Sequence, residues 1–131
     1  MTSRFPHDFR LLIADDDAGF RETVQEILTP RFETIAVESG EAAIDVVRHS
    51  PVHLILTDEH MPAMGGVETV SIVRSIKADL PCILITGDLT EDLRRRAELI
   101  RFYAVLEKPP NPKRLLQTVE NALIEPYSAS A

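Results

Sequence analysis

Three aspartates in succession, Asp15, Asp16 and Asp17, close a short apolar run, and Asp58 closes another, followed by Glu59 and His60. Thr86 and Lys108 end two further runs. Two carboxylates ~4 Å apart repel by roughly 4 kcal/mol at an effective dielectric of about 20. Acids gathered in one place therefore share a proton or surround a cation. An all-oxygen set suits a hard ion such as Mg²⁺. Magnesium bridges carboxylates to phosphate oxygens, and a lysine adds a second positive charge, so a phosphoryl group fits a site that looks too acidic for it. Any one of these acids could instead cap the helix after it, and Asp17 is well placed to do so. Asp15 with Asp16, Asp58, Thr86 and Lys108 together, ending four different apolar runs, point to a site.

These residues need elements that bring them to one rim. Leu11–Ala14, Thr34–Val37, Leu54–Thr57, Cys82–Ile85 and Ala104–Leu106 are short apolar runs, several rich in β-branched residues. Runs apolar on both faces suit strands of a covered parallel sheet. Between them lie stretches with helical spacing, led by Phe20, Val24, Ile27 and Leu28 and ending with Leu115, Leu116, Val119 and Leu123. Ser39 or Gly40 opens the second helix, and Asn111 with Pro112 opens the last. Alternation of five strands with five helices predicts a doubly wound α/β domain. Chemistry in such a sheet collects beyond the carboxyl ends of the strands, where strand order reverses.

The 131 residues suffice for one domain, with residues 1–9 and 125–131 expected as loose ends around a 10–124 core. A formal charge of −7 speaks against direct nucleic-acid binding, which needs a basic face. A single cysteine, Cys82, excludes an intrachain disulfide and is expected as a small buried hydrophobe. No apolar run approaches the ~20 residues of a membrane span, so a soluble cytoplasmic protein is expected. His49 and His53 have i, i+4 spacing, but Pro51 breaks the helix that would align them on a metal.

Leu12-Ile13-Ala14-Asp15-Asp16-Asp17, Asp58-Glu59-His60-Met61-Pro62-Ala63-Met64-Gly65-Gly66, Ile85-Thr86-Gly87 and Glu107-Lys108-Pro109-Pro110 occur in the order found in the receiver domain of two-component response regulators, which the chain resembles. The resemblance implies a flavodoxin-like (βα)5 fold with a five-stranded parallel sheet in the order 2-1-3-4-5. It implies that Asp58 takes a phosphoryl group from a sensor histidine kinase or phosphotransfer protein. Asp16, Asp58 and the backbone carbonyl of His60 would hold Mg²⁺ (or Mn²⁺) directly, and Asp15 through water. Thr86 and Lys108 would bind phosphoryl oxygens, with a cis Lys108–Pro109 peptide aiming the lysine inward. His60 and Asp88 would flank the attacking water and tune the lifetime of the phosphoryl group. The protein would act as a phosphoacceptor rather than a classical enzyme, with a downstream protein target that reads the switch.

One position and one short stretch depart from the family pattern. Val105 stands where a Tyr or Phe usually partners the threonine, and either Phe102 or Tyr103 could fill that space or belong to the core. The output is therefore expected to leave through the fourth helix or the loop before it. Ile100, Arg101, Phe102 and Tyr103 replace the usual small turn, a homodimer or partner surface if exposed. Arg94, Arg95 and Arg96 read as a solvated helix face, with contact to an acidic partner as the alternative. A stand-alone regulator is the first expectation, with a segment of a hybrid kinase or DNA-binding regulator as the alternative. A remoter one is a haloacid-dehalogenase-type phosphatase, whose D-x-D motif Asp15 and Asp17 would satisfy; its nucleophile would be Asp15.

Overall fold

Each apolar run forms a strand, and each helically spaced stretch forms the helix after it. The computed structural model describes residues 9–127 in backbone and, at the C-terminal end, side chains up to residue 124. The elements are β1 (Arg10–Ala14), α1 (Ala18–Leu28), β2 (Glu33–Val37), α2 (Gly40–His49), β3 (Leu54–Thr57), α3 (Gly66–Ile76), β4 (Cys82–Thr86), α4 (Glu91–Leu99), β5 (Ala104–Glu107) and α5 (Pro112–Tyr127). All neighbouring strands pair in parallel, in the order β2-β1-β3-β4-β5.

The period of two along each strand divides the core into layers. Leu11, Ile13, Leu54, Leu56, Ile83 and Ile85 point to one face, against Val24 and Leu28 of α1 and Leu115, Val119 and Leu123 of α5. Leu12, Ala14, Ile55 and Cys82 point to the other, against α2 and α3. Leu84 joins Val67 of α3 with Leu93 and Ala97 of α4 in a smaller cluster. Side chains this well buried each contribute about 1.5–3 kcal/mol. Cys82 is fully buried, and burial pushes its thiol up to about 12.

Helix starts follow the expected chemistry. Asp17, Ser39 and Thr90 cap α1, α2 and α4 by accepting from backbone N–H groups. Asn111 Oδ1 accepts from Arg114 N at the start of α5. Ordered structure is found on both sides of residues 10–124. Phe9, assigned from the sequence to the loose extension, is 4% exposed because its ring joins the α1/α5 core and packs edge-on against His53. Helix α5 continues past residue 124 to Tyr127. The remaining tail positions, 1–8 and 128–131, lie outside the described residues.

Candidate functional site

Strand order reverses between β1 and β3, and their register pairs Ala14 with Thr57. The next residue on each strand is an aspartate, so Asp15 and Asp58 emerge side by side. The ladders run one residue past the strand ends: Asp15 N donates to Val37 O, Asp58 N to Ala14 O and Lys108 N to Thr86 O. Backbone hydrogen bonds thus fix where these side chains begin.

Asp15, Asp58 and Thr86 are buried, at 1%, 5% and 0% exposure, while Asp16 is exposed. Carboxylate oxygens of Asp15, Asp16 and Asp58 lie within 4.8 Å of one another. Lys108 reaches in from β5, with Nζ 2.8 Å from Asp15 Oδ2 and 3.1 Å from Asp58 Oδ2. Its ammonium also sits over the Phe20 ring, 4.2 Å from the centroid, in a cation–π contact. Burial alone would lower the Lys108 pKa, but the paired carboxylates of Asp15 and Asp58 outweigh it and raise it. Burial also pushes the Asp15 carboxyl up, opposed by Lys108 and by the Asp17 N–H. The lysine therefore stays charged, and the Asp15 carboxyl holds its proton more tightly than a free aspartate does.

The loop after Asp58 is held at close quarters. Glu59 N donates to Asp58 Oδ1 at 2.7 Å, and Glu59 Oε1 accepts from Val67 N at the start of α3. A Cβ on Gly66 would fall 2.4 Å from the Asp58 carbonyl oxygen, and one on Gly65 would fall 2.7 Å from that of Glu59. Only glycine lets α3 begin this close to the end of β3. Ala63, at φ 68°, makes the left-handed turn that brings the loop back.

Thr86 Oγ1 accepts from Asp88 N at 3.3 Å, a bond that leaves the hydroxyl proton for donation. The Lys108–Pro109 peptide is cis. His60 and Asp88 are both exposed and face each other across the mouth of the site, with Nε2 3.9 Å from Oδ2. The imidazole thus turns to Asp88 and adds no ring nitrogen to the carboxylate cluster.

The bulky segment before β5 divides. Thr86 pairs with Glu107, four residues beyond Tyr103, which puts Tyr103 roughly 13 Å away along the strand. Phe102 and Ile100 turn inward against the clusters under α3 and α4. Tyr103 is 44% exposed, in a groove with Arg74, Pro81 and Ala122 at the opposite end of the sheet. Neither aromatic fills the space beside Thr86. Of the segment's three large apolar side chains, Ile100 and Phe102 face the core and Tyr103 alone is exposed. Val105 instead lines an open cleft of about 350 Å³ between Leu89 and Arg94 on one side and Pro110 and Arg114 on the other.

Arg74 was not singled out by its sequence context. Its guanidinium donates to Leu80 O, Ile100 O and Arg101 O, clamping the turn after α4, where Arg101 takes φ 61°. Arg21 was also missed; it donates to Asp15 O at 2.6 Å and braces the loop after β1. The sequence carries no local signal for either, since both act on backbone carbonyls.

A doubly wound domain with an acidic rim and an opposing lysine is the class that fold and site define. Residues 11–120 match the response regulator receiver domain family, and the chain belongs to it. It is 35% identical over 108 residues to a response regulator receiver protein of Anaeromyxobacter sp., matching 82% of this chain and 45% of that one. It is 30% identical to the response regulator receiver protein CpdR of Brucella abortus, over 88% of this chain and 97% of that one. The chain covers under half of several curated relatives, with 24% of the Pseudomonas aeruginosa response regulator protein FleR matched. Among solved structures, the Vibrio cholerae chemotaxis protein CheY4 is similar at a TM-score of 0.82 and 26% identity, over 88% of this chain and 98% of that one. A CheY-like receiver domain from Methanospirillum hungatei shares the fold at a TM-score of 0.86 and 24% identity, over 89% and 94% of the two chains. Membership sets aside the haloacid-dehalogenase reading with Asp15 as nucleophile. Among the described residues, no helix is long and apolar enough to cross a membrane.

Proposed function

We propose that this receiver domain accepts a phosphoryl group on Asp58 from the phosphohistidine of a sensor histidine kinase or a phosphotransfer protein. The observation that carries the proposal is the placement of Asp58: buried, beside Asp15 and Asp16, and 3.1 Å from Lys108. An Asp58 carboxylate oxygen forms the new bond to phosphorus while the bond to the donor imidazole breaks, giving an aspartyl phosphate and a neutral histidine. The residues fit a hard divalent cation. Their donors are oxygens, and Asp15 Oδ2 is buried with no hydrogen-bond donor aligned on it, although Lys108 stands close by as an ion pair.

Asp16, Asp58 and the His60 carbonyl would hold Mg²⁺ or Mn²⁺ directly, with Asp15 acting through water. When bound, the ion supplies the positive charge that lets an anionic donor approach three aspartates. Lys108 then neutralises one phosphoryl oxygen, and Thr86 turns its hydroxyl proton toward another. That movement draws the β4–α4 loop inward and biases α4, where the output is read by a downstream protein. His60 and Asp88, facing each other over the mouth, screen the approach of the hydrolytic water and set the lifetime of the product.

The protein works as a cytoplasmic single-domain regulator in this reading, supported by the near-full-length match to CpdR. The partial coverage of FleR favours the alternative of an input segment within a larger regulator. Transfer from a panel of radiolabelled histidine kinases tests the function. Rapid label uptake from at least one kinase, absent in Asp58→Asn, is expected; failure with every donor contradicts it.

A further inference from the structure

Two contacts leave the acceptor loop for the α4 side of the molecule. One is the His60–Asp88 pair at the mouth of the site. The other lies deeper: Glu59 Oε2 is 3.4 Å from Arg96 Nη2 on α4. The Glu59 side chain is only 16% exposed, and three things fix it. Its other carboxylate oxygen accepts from Val67 N at the head of α3. The absent side chain of Gly65 leaves it room, since a Cβ there would meet Glu59 Oε2 at 2.7 Å. Its own backbone N–H donates to Asp58 Oδ1 at 2.7 Å. One residue therefore touches the acceptor carboxylate with its main chain and α4 with its side chain.

Arg96 is the one member of the Arg94–Arg96 run for which a contact to the acceptor loop is seen. It stands on the turn between Leu93 and Ala97, the buried residues that seat α4 on Val67 and Leu84. Val105 and its open cleft leave the Thr86 side of the molecule without an aromatic to carry a signal toward β5.

We infer that the Glu59–Arg96 ion pair is a strut that holds α4 in place while Asp58 is unmodified and transmits the change when Asp58 is modified. Arg96 is a positioning residue that acts through Glu59. The transmitting half of this inference rests on Asp58 being the acceptor; the holding half does not. A phosphoryl group on Asp58 alters the bond it receives from Glu59 N, so the Glu59 side chain shifts, and its grip on Arg96 loosens. The same carboxylate caps α3, so the strut ties the start of α3 and the last turn of α4 to one event.

The experiment is hydrogen–deuterium exchange over residues 88–99 of the full chain with Mg²⁺, before and after addition of beryllofluoride as phosphoryl mimic. Asp58 labelling by acetyl phosphate is measured on the same samples. Arg96→Ala should raise exchange in the free protein by about two-fold, as an exposed ion pair allows, and shrink the further change caused by beryllofluoride by a similar factor. Arg96→Lys should restore much of the difference, and Arg95→Ala should match the parent. Glu59→Gln keeps an acceptor for Val67 N while removing the charge, and combined with Arg96→Ala it should add nothing beyond the single change. Arg96→Ala indistinguishable from Arg95→Ala in the free protein would overturn the strut. A parent that takes no label on Asp58 would instead overturn the acceptor reading, with the free-protein comparison still deciding the holding role.

Discussion

The two ends of the sheet put charged side chains to opposite uses. At the carboxyl end, Asp15, Asp58 and Lys108 are charges drawn out of water and left to neutralise one another at 2.8 and 3.1 Å. At the amino end, Arg74 spends its whole guanidinium on three backbone carbonyls and contributes only rigidity. The first end gathers buried carboxylates that a hard cation would offset. The second is satisfied already. A site can thus be told from a brace by whether its buried charges still want something.

Removing Lys108 should break this contrast most severely. Lys108→Met leaves two nearly buried carboxylates without their cation, at a cost of about 3 kcal/mol in denaturant unfolding without metal. Added Mg²⁺ should recover part of that loss; an unchanged midpoint would mean the ion pairs contribute nothing. The pH dependence carries the same sign. Because the folded-state pKa of Lys108 is raised, its stabilisation is complete below about 10.5 and is lost as pH rises through the folded value. Asp15, raised by burial, acts at the acid end: its proton is held more tightly in the folded state, so its contribution falls as pH rises from 3.8 through its folded value.

Gly66→Ala comes next, at about 2–3 kcal/mol, since its Cβ must displace the Asp58 carbonyl. A cost well under that, with normal labelling, would show that the start of α3 can retreat from the end of β3. Arg74→Ala should cost about 1–2 kcal/mol, leaving carbonyls unpartnered, and should leave Asp58 labelling untouched. A labelling defect there would mean the two ends are not separable. Asp16→Asn should change stability by less than about 0.5 kcal/mol, as expected of an exposed carboxylate, while weakening Mg²⁺ binding measured by Phe or Tyr fluorescence or calorimetry.

The carboxyl end was the legible one. Strand edges are marked by the switch from apolar residues to Asp15, Asp58, Thr86 or Lys108, so period and position alone bring the cluster to one rim. Asp17 and Ser39 declared their caps through residue type. The braces were hidden because Arg74 and Arg21 bond to carbonyls, which look alike at every position. Glu59–Arg96 was hidden because 37 residues separate the partners and neither type is rare on a surface. Tyr103 misled for a related reason: an aromatic near β5 counts only if it lies at the level of Thr86, and register puts it at the other end.

The most direct test of the account is intact-mass and peptide mass spectrometry after incubation with acetyl phosphate and Mg²⁺. A single phosphoryl group mapped to Asp58, absent with EDTA and in Asp58→Asn, is the predicted result. A folded protein that gains no phosphoryl group, or gains it on Asp15, would contradict the account.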